Sequence, residues 1–377
     1  METILDANHA CQLSASQPRT SLPPLVTDAA HLTPAWIESV LRYRGLLDAG
    51  TVADVRIMPV GNGMLGSNLR LELQYSGASS SAPRTLVAKL PATNSVSRET
   101  GARSRLYLRE IRFYQEIAPF VDVGLPNVLY ADISEDMRDF CLLFEDLAPA
   151  VGGDQLQGCT VEQAMHALDA AAALHGPQWG KAELATHVWL DRNMHVPGYA
   201  KHYAKCVQAF AERYAGQLEG EVIDAALHLG KRIDAYFAMQ QAPWTITHGD
   251  FRLDNMLFDA KGGRLPVAVL DWQTVQLGPG MTDVSYFLGS GLTTALRREH
   301  ERDLVQRYHQ SLSRYGVDYD ASQCWRDYGL FAPQGLIQAV IAAILTTRTE
   351  RGDLLFLTMA RRHGIQMLDL GTLDLVA

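Results

Sequence analysis

The run His248-Gly249-Asp250-Phe251-Arg252-Leu253-Asp254-Asn255 brings several hard oxygen donors close together, and about twenty residues later the chain reads Leu270-Asp271-Trp272-Gln273. An aspartate, an asparagine five positions on and a second aspartate closing an apolar strand suit a general base with magnesium at a triphosphate. Asp250 can accept the proton of an attacking hydroxyl, and Asn255 offers a neutral oxygen to the metal. Asp271 follows Val267 and Val269 on one strand face, so it falls at the strand's end, where it can bridge the metal and the β- and γ-phosphates. Asp254 is expected to point away, in a hydrogen-bonding or surface role. His248 reads as a structural histidine fixing the loop. Arg252 has two readings that the residues leave open: contact with the γ-phosphate, or an ion pair with Asp254.

Phosphoryl transfer is mostly positioning and charge neutralisation, so a phosphate loop and a cation should accompany these residues. Gly61, Gly63 and Gly66 fit G-x-G-x-x-G. In a dinucleotide-binding fold that pattern opens a helix, with an acid about twenty residues on. Here it opens a strand, and no Asp or Glu occurs from Leu73 to Lys89. The expected use is a hairpin loop whose amides cover phosphates; the plainer reading is an ordinary glycine-rich hairpin. Lys89, in Leu86-Val87-Ala88-Lys89-Leu90, shares strand parity with Val87, so a charge lies on a partly buried face. A buried lysine needs a partner. Glu110 interrupts the apolar helical stripe of Leu106, Phe113, Tyr114 and Ile117 and is the natural candidate, with Glu99 and Glu116 as rivals. The plain alternative is a snorkelling lysine and a glutamate at the stripe's margin.

The elements that must hold these residues follow from the pattern. Residues 1 to about 27 read as a loose tail, and Thr33-Pro34 as the start of a helix with Trp36, Ile37, Val40 and Leu41 on one face. Short strands are expected around Val55–Val60, Leu69–Tyr75, Thr85–Leu90, Val128–Ile133 and Phe140–Phe144, with one helix from about Ser97 to Ile117. Past Gly152-Gly153 the chain turns helical. Thr160 with Gln163 makes a capping box. Long helices are expected at roughly 198–216 and 219–240, short strands around the 244–273 motif region, and helices from about Asp283 onward. The domain reading is a tail over 1–30, a β-rich lobe over 31–147 and a helical lobe over 148–377, an α+β chain.

Composition sets outer limits. The 377 residues are 47% hydrophobic and 20% charged, ordinary for a globular protein, and the net charge of -9 speaks against a general nucleic-acid binder. Five scattered cysteines without metal or redox spacing read as reduced thiols of a cytoplasmic enzyme. The first residues lack a signal-peptide pattern. The longest apolar run, Gly335 to Leu345, is too short to span a bilayer, so no membrane partner is expected.

The motif with its Asp271-Trp272-Gln273 sequel, and Gly278-Pro279-Gly280 leading to Asp283, resembles the aminoglycoside phosphotransferase and choline kinase superfamily. The long HGDFRLDNMLF run, the glutamine after Asp271-Trp272, and the segments Glu110-Ile111-Arg112-Phe113-Tyr114 and Phe144-Glu145-Asp146-Leu147 are similar to its ecdysteroid kinase-like branch. The resemblance covers about residues 30–350. It implies a bilobal protein-kinase-like fold with a small β-rich N-lobe and a larger helical C-lobe. It also implies Asp250 as base, Asn255 and Asp271 as magnesium ligands, and Lys89 on the α- and β-phosphates while paired to Glu110. Glu145 to Leu147 would form a hinge that binds adenine through its backbone, and Asp283 would brace the catalytic loop; by position alone Asp283 could equally be a helix N-terminal acid.

The expected function is transfer of the γ-phosphoryl group of ATP, with Mg2+, to a hydroxyl of a small, partly apolar molecule. The alternatives are an aminoglycoside or other antibiotic kinase and a nucleotide-binding pseudokinase scaffold. The scaffold would lack one of the Lys, Asp or Asn residues, and all are present. A protein kinase would show His-Arg-Asp wording and an Ala-Pro-Glu segment, and neither occurs at the corresponding place. From Val284 onward acids and bases are about balanced, without the acidic run that a polycation would need. The acceptor's identity and the oligomeric state are not legible from the residues.

Overall fold

The computed structural model describes residues 21–61, 66–77, 81–190, 196–241 and 243–376. Helix α1 (Pro34–Tyr43) starts where the Thr33 hydroxyl accepts the Trp36 amide and a proline fills the first position. Strands β1 (Thr51–Pro59), β2 (Gly66–Ser76), β3 (Thr85–Pro91), β4 (Val128–Ile133) and β5 (Phe140–Glu145) form one antiparallel sheet in the order β1-β2-β3-β5-β4. Strand β5 is apolar from Phe140 to Phe144 because both its faces are covered. Cys141 and Leu143 join the core beneath α1 with Ile37, Leu41 and Leu71, whereas Phe140, Leu142 and Phe144 join the core shared with the helical part of the chain.

From Pro23 onward the chain is docked on α1 and the sheet. Tyr130 donates to the Pro23 carbonyl and Trp36 Nε1 to the Pro24 carbonyl, and Val26 and Leu32 belong to the core under α1. The helix expected over 97–117 is two helices, α2 (Ser95–Arg103) and α3 (Leu106–Arg112), followed by a π-helical turn at Phe113–Ile117. Arg105 breaks the path at φ 54°, and α2 folds back so closely that a Cβ on Gly101 would lie 2.4 Å from the Tyr107 ring. Side-chain period reveals an apolar face but not a tertiary close approach that turns one helix into two.

After the two-residue strand β6 (Val151–Gly152) the chain is mostly helical. Helix α4 (Val161–His175) has the expected capping box. Helices α5 (Val196–Tyr214), α6 (Gly220–Lys231) and α7 (Ile233–Ala238) follow. The expected 219–240 helix is broken at Arg232, whose guanidinium reaches the carbonyls of Leu373 and Val376. Strands β7 (Thr245–Thr247), β8 (Met256–Asp259), β9 (Leu265–Val269) and β10 (Gln276–Gly278) frame the motif region, with a single turn α8 (Ala260–Gly263) between β8 and β9. Helices α9 (Met281–Gly291), α10 (Thr294–Ser313), α11 (Ala321–Leu330), α12 (Pro333–Leu345), α13 (Glu350–Asp369) and α14 (Thr372–Leu375) complete the chain. All eleven residues of α9 are buried, so it is a central helix rather than a surface one. The apolar stretch Ala321–Leu345 meets the length and composition of a membrane span, but 61% of its most apolar window is buried in the helical core.

His363 of α13 is fully buried and bonds Gln366 through Nδ1, with no partner for Nε2 among the described residues. Burial holds its pKa down to about 3. The folded state therefore keeps this ring neutral while the unfolded chain protonates it near 6.5. Its contribution to stability is complete above that pH and falls as the pH drops toward 3, at roughly 1.4 kcal/mol per unit. Urea unfolding at pH 7, 6 and 5 should show this decline, and His363→Leu should reduce the slope.

Candidate active site

Three of the sequence-predicted residues, from distant parts of the chain, meet in one cluster. Lys89 of β3 and Glu110 of α3 are both buried, with Nζ 2.8 and 2.7 Å from the two carboxylate oxygens. The same Nζ lies 2.8 Å from Asp271 Oδ1, from 182 residues further along the chain. The rivals are engaged elsewhere: Glu99 pairs with Arg138, and Glu116 binds Arg112, His187 and Trp189. Burial, opposed by Lys89 and reinforced by the Asp271 charge, pushes the Glu110 pKa up to about 7. Lys89 loses solvent on burial, but its two carboxylates hold it charged above its ordinary pKa. One cation thus serves two acids.

Asp271 takes φ 65°, a left-handed conformation uncommon outside glycine, directly after β9 and Leu270. That turn aims it back at Lys89 and lets Gln273 Nε2 donate to the same Oδ1. Its neighbour Trp272 is fully buried and stacks on Phe113 with centroids 3.7 Å apart and planes 5° apart. Such a stack contributes about 0.5–1.5 kcal/mol beyond area burial. It ties the turn after α3 to the Asp271 segment. The Asp271 side chain remains 43% exposed, so it reaches solvent while its Oδ1 is held.

The loop from His248 to Asn255 is held largely from α9. Asp283 accepts the amides of His248 (2.6 Å) and Gly249 (3.0 Å), and His175 Nε2 lies 3.2 Å from its Oδ2. The loop-bracing and first-turn readings of Asp283 therefore both hold, for it lies in the first turn of α9. Gly249 has φ 80°, and a Cβ there would sit 2.5 Å from the Thr274 carbonyl. His248 has Nε2 2.9 Å from the Leu270 carbonyl and accepts the Asp250 amide at Nδ1, which fits a neutral ring fixing the loop.

Asp250 itself is surrounded by donors. Tyr286 donates to Oδ1 at 2.8 Å, and Asn255 Nδ2 to Oδ2 at 2.9 Å and to the Asp250 carbonyl at 2.8 Å. Arg252 Nε lies 3.1 Å from both oxygens and its Nη1 pairs with Asp254. Burial works against ionisation, but the Arg252 charge and the Tyr286 hydroxyl outweigh it and lower the Asp250 pKa. Arg252 thus makes the Asp254 pair that was one of its two readings, and contacts the carboxylate of Asp250 as well. Asp254 also accepts the Gln155 amide, and Gln155 Oε1 accepts the Leu253 amide.

At the expected hinge, the Glu145 side chain accepts the Asn127 amide and forms an ion pair with Lys261 at 2.7 Å. The Leu147 carbonyl accepts the Lys261 amide. Asp146 pairs with Arg70 at 2.8 Å. These side chains bind the segment to β2 and to the turn after β8. Gly61 has φ 72° just after β1 and Gly66 opens β2, while Gly63 lies outside the described residues. Tyr286, Gln155, His175 and Lys261 were missed from sequence. Tyr286 had a usable signal, three residues after Asp283 on one helix; the others had none within their own segments.

Among the described residues no group of three or more His, Cys, Asp or Glu side chains surrounds a common point. The donor set still fits magnesium, which keeps several waters and takes one or two protein oxygens beside substrate phosphates. Asn255 spends its Nδ2 on Asp250, leaving its side-chain oxygen, and Asp271 has its Oδ1 held, leaving Oδ2. Asp283→Ala would leave two buried amides and His175 without their acceptor, at about 1–3 kcal/mol for each unsatisfied group. Thermal unfolding should show a large loss of stability.

A solved candidate aminoglycoside phosphotransferase of Ralstonia eutropha JMP134 is similar over 88% of this chain and 97% of its own, with TM-score 0.52 and 16% identity. The GDP complex of aminoglycoside 2'-phosphotransferase-IIIa is similar over 88% and 98%, with TM-score 0.52 and 12% identity. Plasmodium vivax ethanolamine kinase is similar over 89% and 86%, with TM-score 0.50 and 12% identity. At these identities the likeness establishes the bilobal kinase-like α+β fold. In sequence, 80 residues are 36% identical to mouse acyl-CoA dehydrogenase family member 10, a match spanning 21% of this chain and 7% of that protein. The sequence model of the ecdysteroid kinase-like family matches residues 60–317, more than half of the chain, and the protein belongs to that family.

Proposed function

We propose that the protein is a small-molecule kinase that moves the γ-phosphoryl group of ATP, with Mg2+, to a hydroxyl of a small, partly apolar acceptor. The observation that carries this is the convergence on Asp271 of Lys89 with its buried partner Glu110, beside a loop where Asn255 and Asp250 are joined. In this reading residues 31–147 form the nucleotide lobe and 148–377 the catalytic and acceptor lobe. Lys89 holds the α- and β-phosphates, kept in place by Glu110. The glycine loop with Gly61 and Gly63 covers the phosphates. The backbone at Glu145 to Leu147 meets adenine, the Glu145 side chain being committed to Lys261.

Asn255 and Asp271 would hold the magnesium ion, which supplies neutralisation of charge on the phosphates. The acceptor oxygen attacks phosphorus in line, the bond from the γ-phosphorus to the bridging oxygen breaks, and ADP leaves with that oxygen. The hydroxyl proton passes to Asp250. Because the transition state is loose, Asp250 serves by orienting the hydroxyl more than by basic strength, so its lowered pKa is compatible with the role. Arg252 leaves the Asp250 carboxylate to meet the transferring phosphoryl oxygens, with Asp254 retaining one end of the guanidinium.

An uncharged acceptor is supported by the balance of charge from Val284 onward, where acids and bases are about equal and no acidic run suited to a polycation occurs. The buried free cysteines Cys141, Cys159, Cys206 and Cys324 fit a reducing, cytoplasmic working place.

Incubating the protein with ATP, Mg2+ and a panel of hydroxyl compounds, read by mass for a phosphate adduct and by ADP release, tests the proposal. Apolar alcohols should outperform kanamycin-like compounds, and the reverse order would overturn the acceptor assignment. Asp250→Ala should lower turnover about 10²–10⁴-fold while nucleotide still binds. Asp271→Ala should lose magnesium-dependent nucleotide binding as well. Near-normal turnover by Asp250→Ala would sink the assignment of the base.

A further inference from the structure

Helix α9 contacts the catalytic loop with one face. Asp283, Tyr286 and Phe287 stand at i, i+3 and i+4, the spacing that aligns side chains on a helix. Asp283 takes the loop backbone at His248 and Gly249, and Phe287 makes an edge contact with Phe251, ring centroids 5.9 Å apart. Tyr286 reaches the Asp250 carboxylate, its hydroxyl 2.8 Å from Oδ1. Its ring is buried and rests beside His363, with centroids 5.4 Å apart.

The other donors on Asp250 have further duties. Asn255 belongs to the same loop and moves with it, and Arg252 divides itself between Asp250 and Asp254. Tyr286 is the donor from a fully buried helix. A carboxylate has about four lone-pair positions. Tyr286 and Asn255 fill one on each oxygen, and Arg252 Nε spans the two oxygens. When Arg252 turns away, the carboxylate keeps its plane because Tyr286 and Asn255 still hold it, and the vacated side can accept a hydroxyl proton.

Resting on the reading of Asp250 as the base, we propose that Tyr286 is a positioning residue of the reaction: it locks the plane of the Asp250 carboxylate so that the edge released by Arg252 faces the acceptor. A role confined to packing would place the cost of its loss in stability; positioning places it in turnover.

The test uses the full-length protein with ATP, Mg2+ and water as the acceptor, read as ADP release. Tyr286→Phe removes one hydroxyl and leaves Asp250 with its Asn255 and Arg252 contacts, so the chain should fold, as thermal unfolding will register. The expected result is a kcat about 10- to 100-fold lower, the effect of losing one hydrogen bond to a charged group, with KM for ATP within about twofold of the parent. Asp250→Asn should lose more, and the double variant should turn over no more slowly than Asp250→Asn alone, since both changes act on one carboxylate. Installing 4-aminophenylalanine at position 286, which restores a donor, should recover part of the turnover.

Unchanged kcat in Tyr286→Phe, a loss confined to KM, or additive losses in the double variant would overturn the inference. If Asp250→Asn is inactive and Tyr286→Phe is normal, only the role of Tyr286 falls. If Asp250→Asn turns over like the parent, the reading of the base falls and the role of Tyr286 with it.

Discussion

One ammonium shared by two carboxylates sets the arrangement of the whole cleft. Lys89 Nζ touches Glu110 and Asp271 at hydrogen-bond distance, and Lys89 and Glu110 are almost wholly out of water. Removing one partner from such a buried pair leaves a charge that the interior cannot solvate, a loss of about 3–5 kcal/mol. The constraint therefore propagates. Strand β3 must present Lys89 toward α3, α3 must turn Glu110 inward, and the chain after β9 must adopt a left-handed turn to bring Asp271 within reach. The Phe113–Trp272 stack holds the latter two together from behind.

The second constraint is the burial of α9. A helix with no solvent face cannot shift without disturbing the helices packed around it. Its first turn accepts the amides of His248 and Gly249, and the next turn reaches the Asp250 carboxylate. A loop built on glycine and short polar residues would otherwise sample many conformations. Here the amides of His248 and Gly249 are taken by Asp283, and Gln155 holds the far end by accepting from Leu253 and donating to Asp254. The loop inherits the rigidity of the core.

Much of this was legible in the chain itself. Strands β2 to β5 stand close to where alternation or a continuous apolar run indicated, because period-2 burial leaves a direct mark on sequence. The Thr160 capping box and the Thr33-Pro34 helix start were legible because capping is a contact within four residues. Lys89 and Glu110 could be singled out as charges on apolar faces, which is a local anomaly. Less was visible where distant contacts decide. The break at Arg232 and the docking of residues from Pro23 onward depend on partners far along the chain.

Sequence by itself determined the inventory: the residue types a phosphoryl transfer needs, their order, and the elements that carry them. Those signals are local, written in spacing and period. Tertiary structure decided between Glu110 and its rivals for Lys89, that Arg252 binds both Asp250 and Asp254, and that Tyr286 donates to the Asp250 carboxylate. Each depends on partners that are chemically adequate but lie apart until the chain folds. Only the three-dimensional path of the backbone, fixed by close packing of the sheet on α3 and of α9 within the helical core, brings one of them within hydrogen-bond distance.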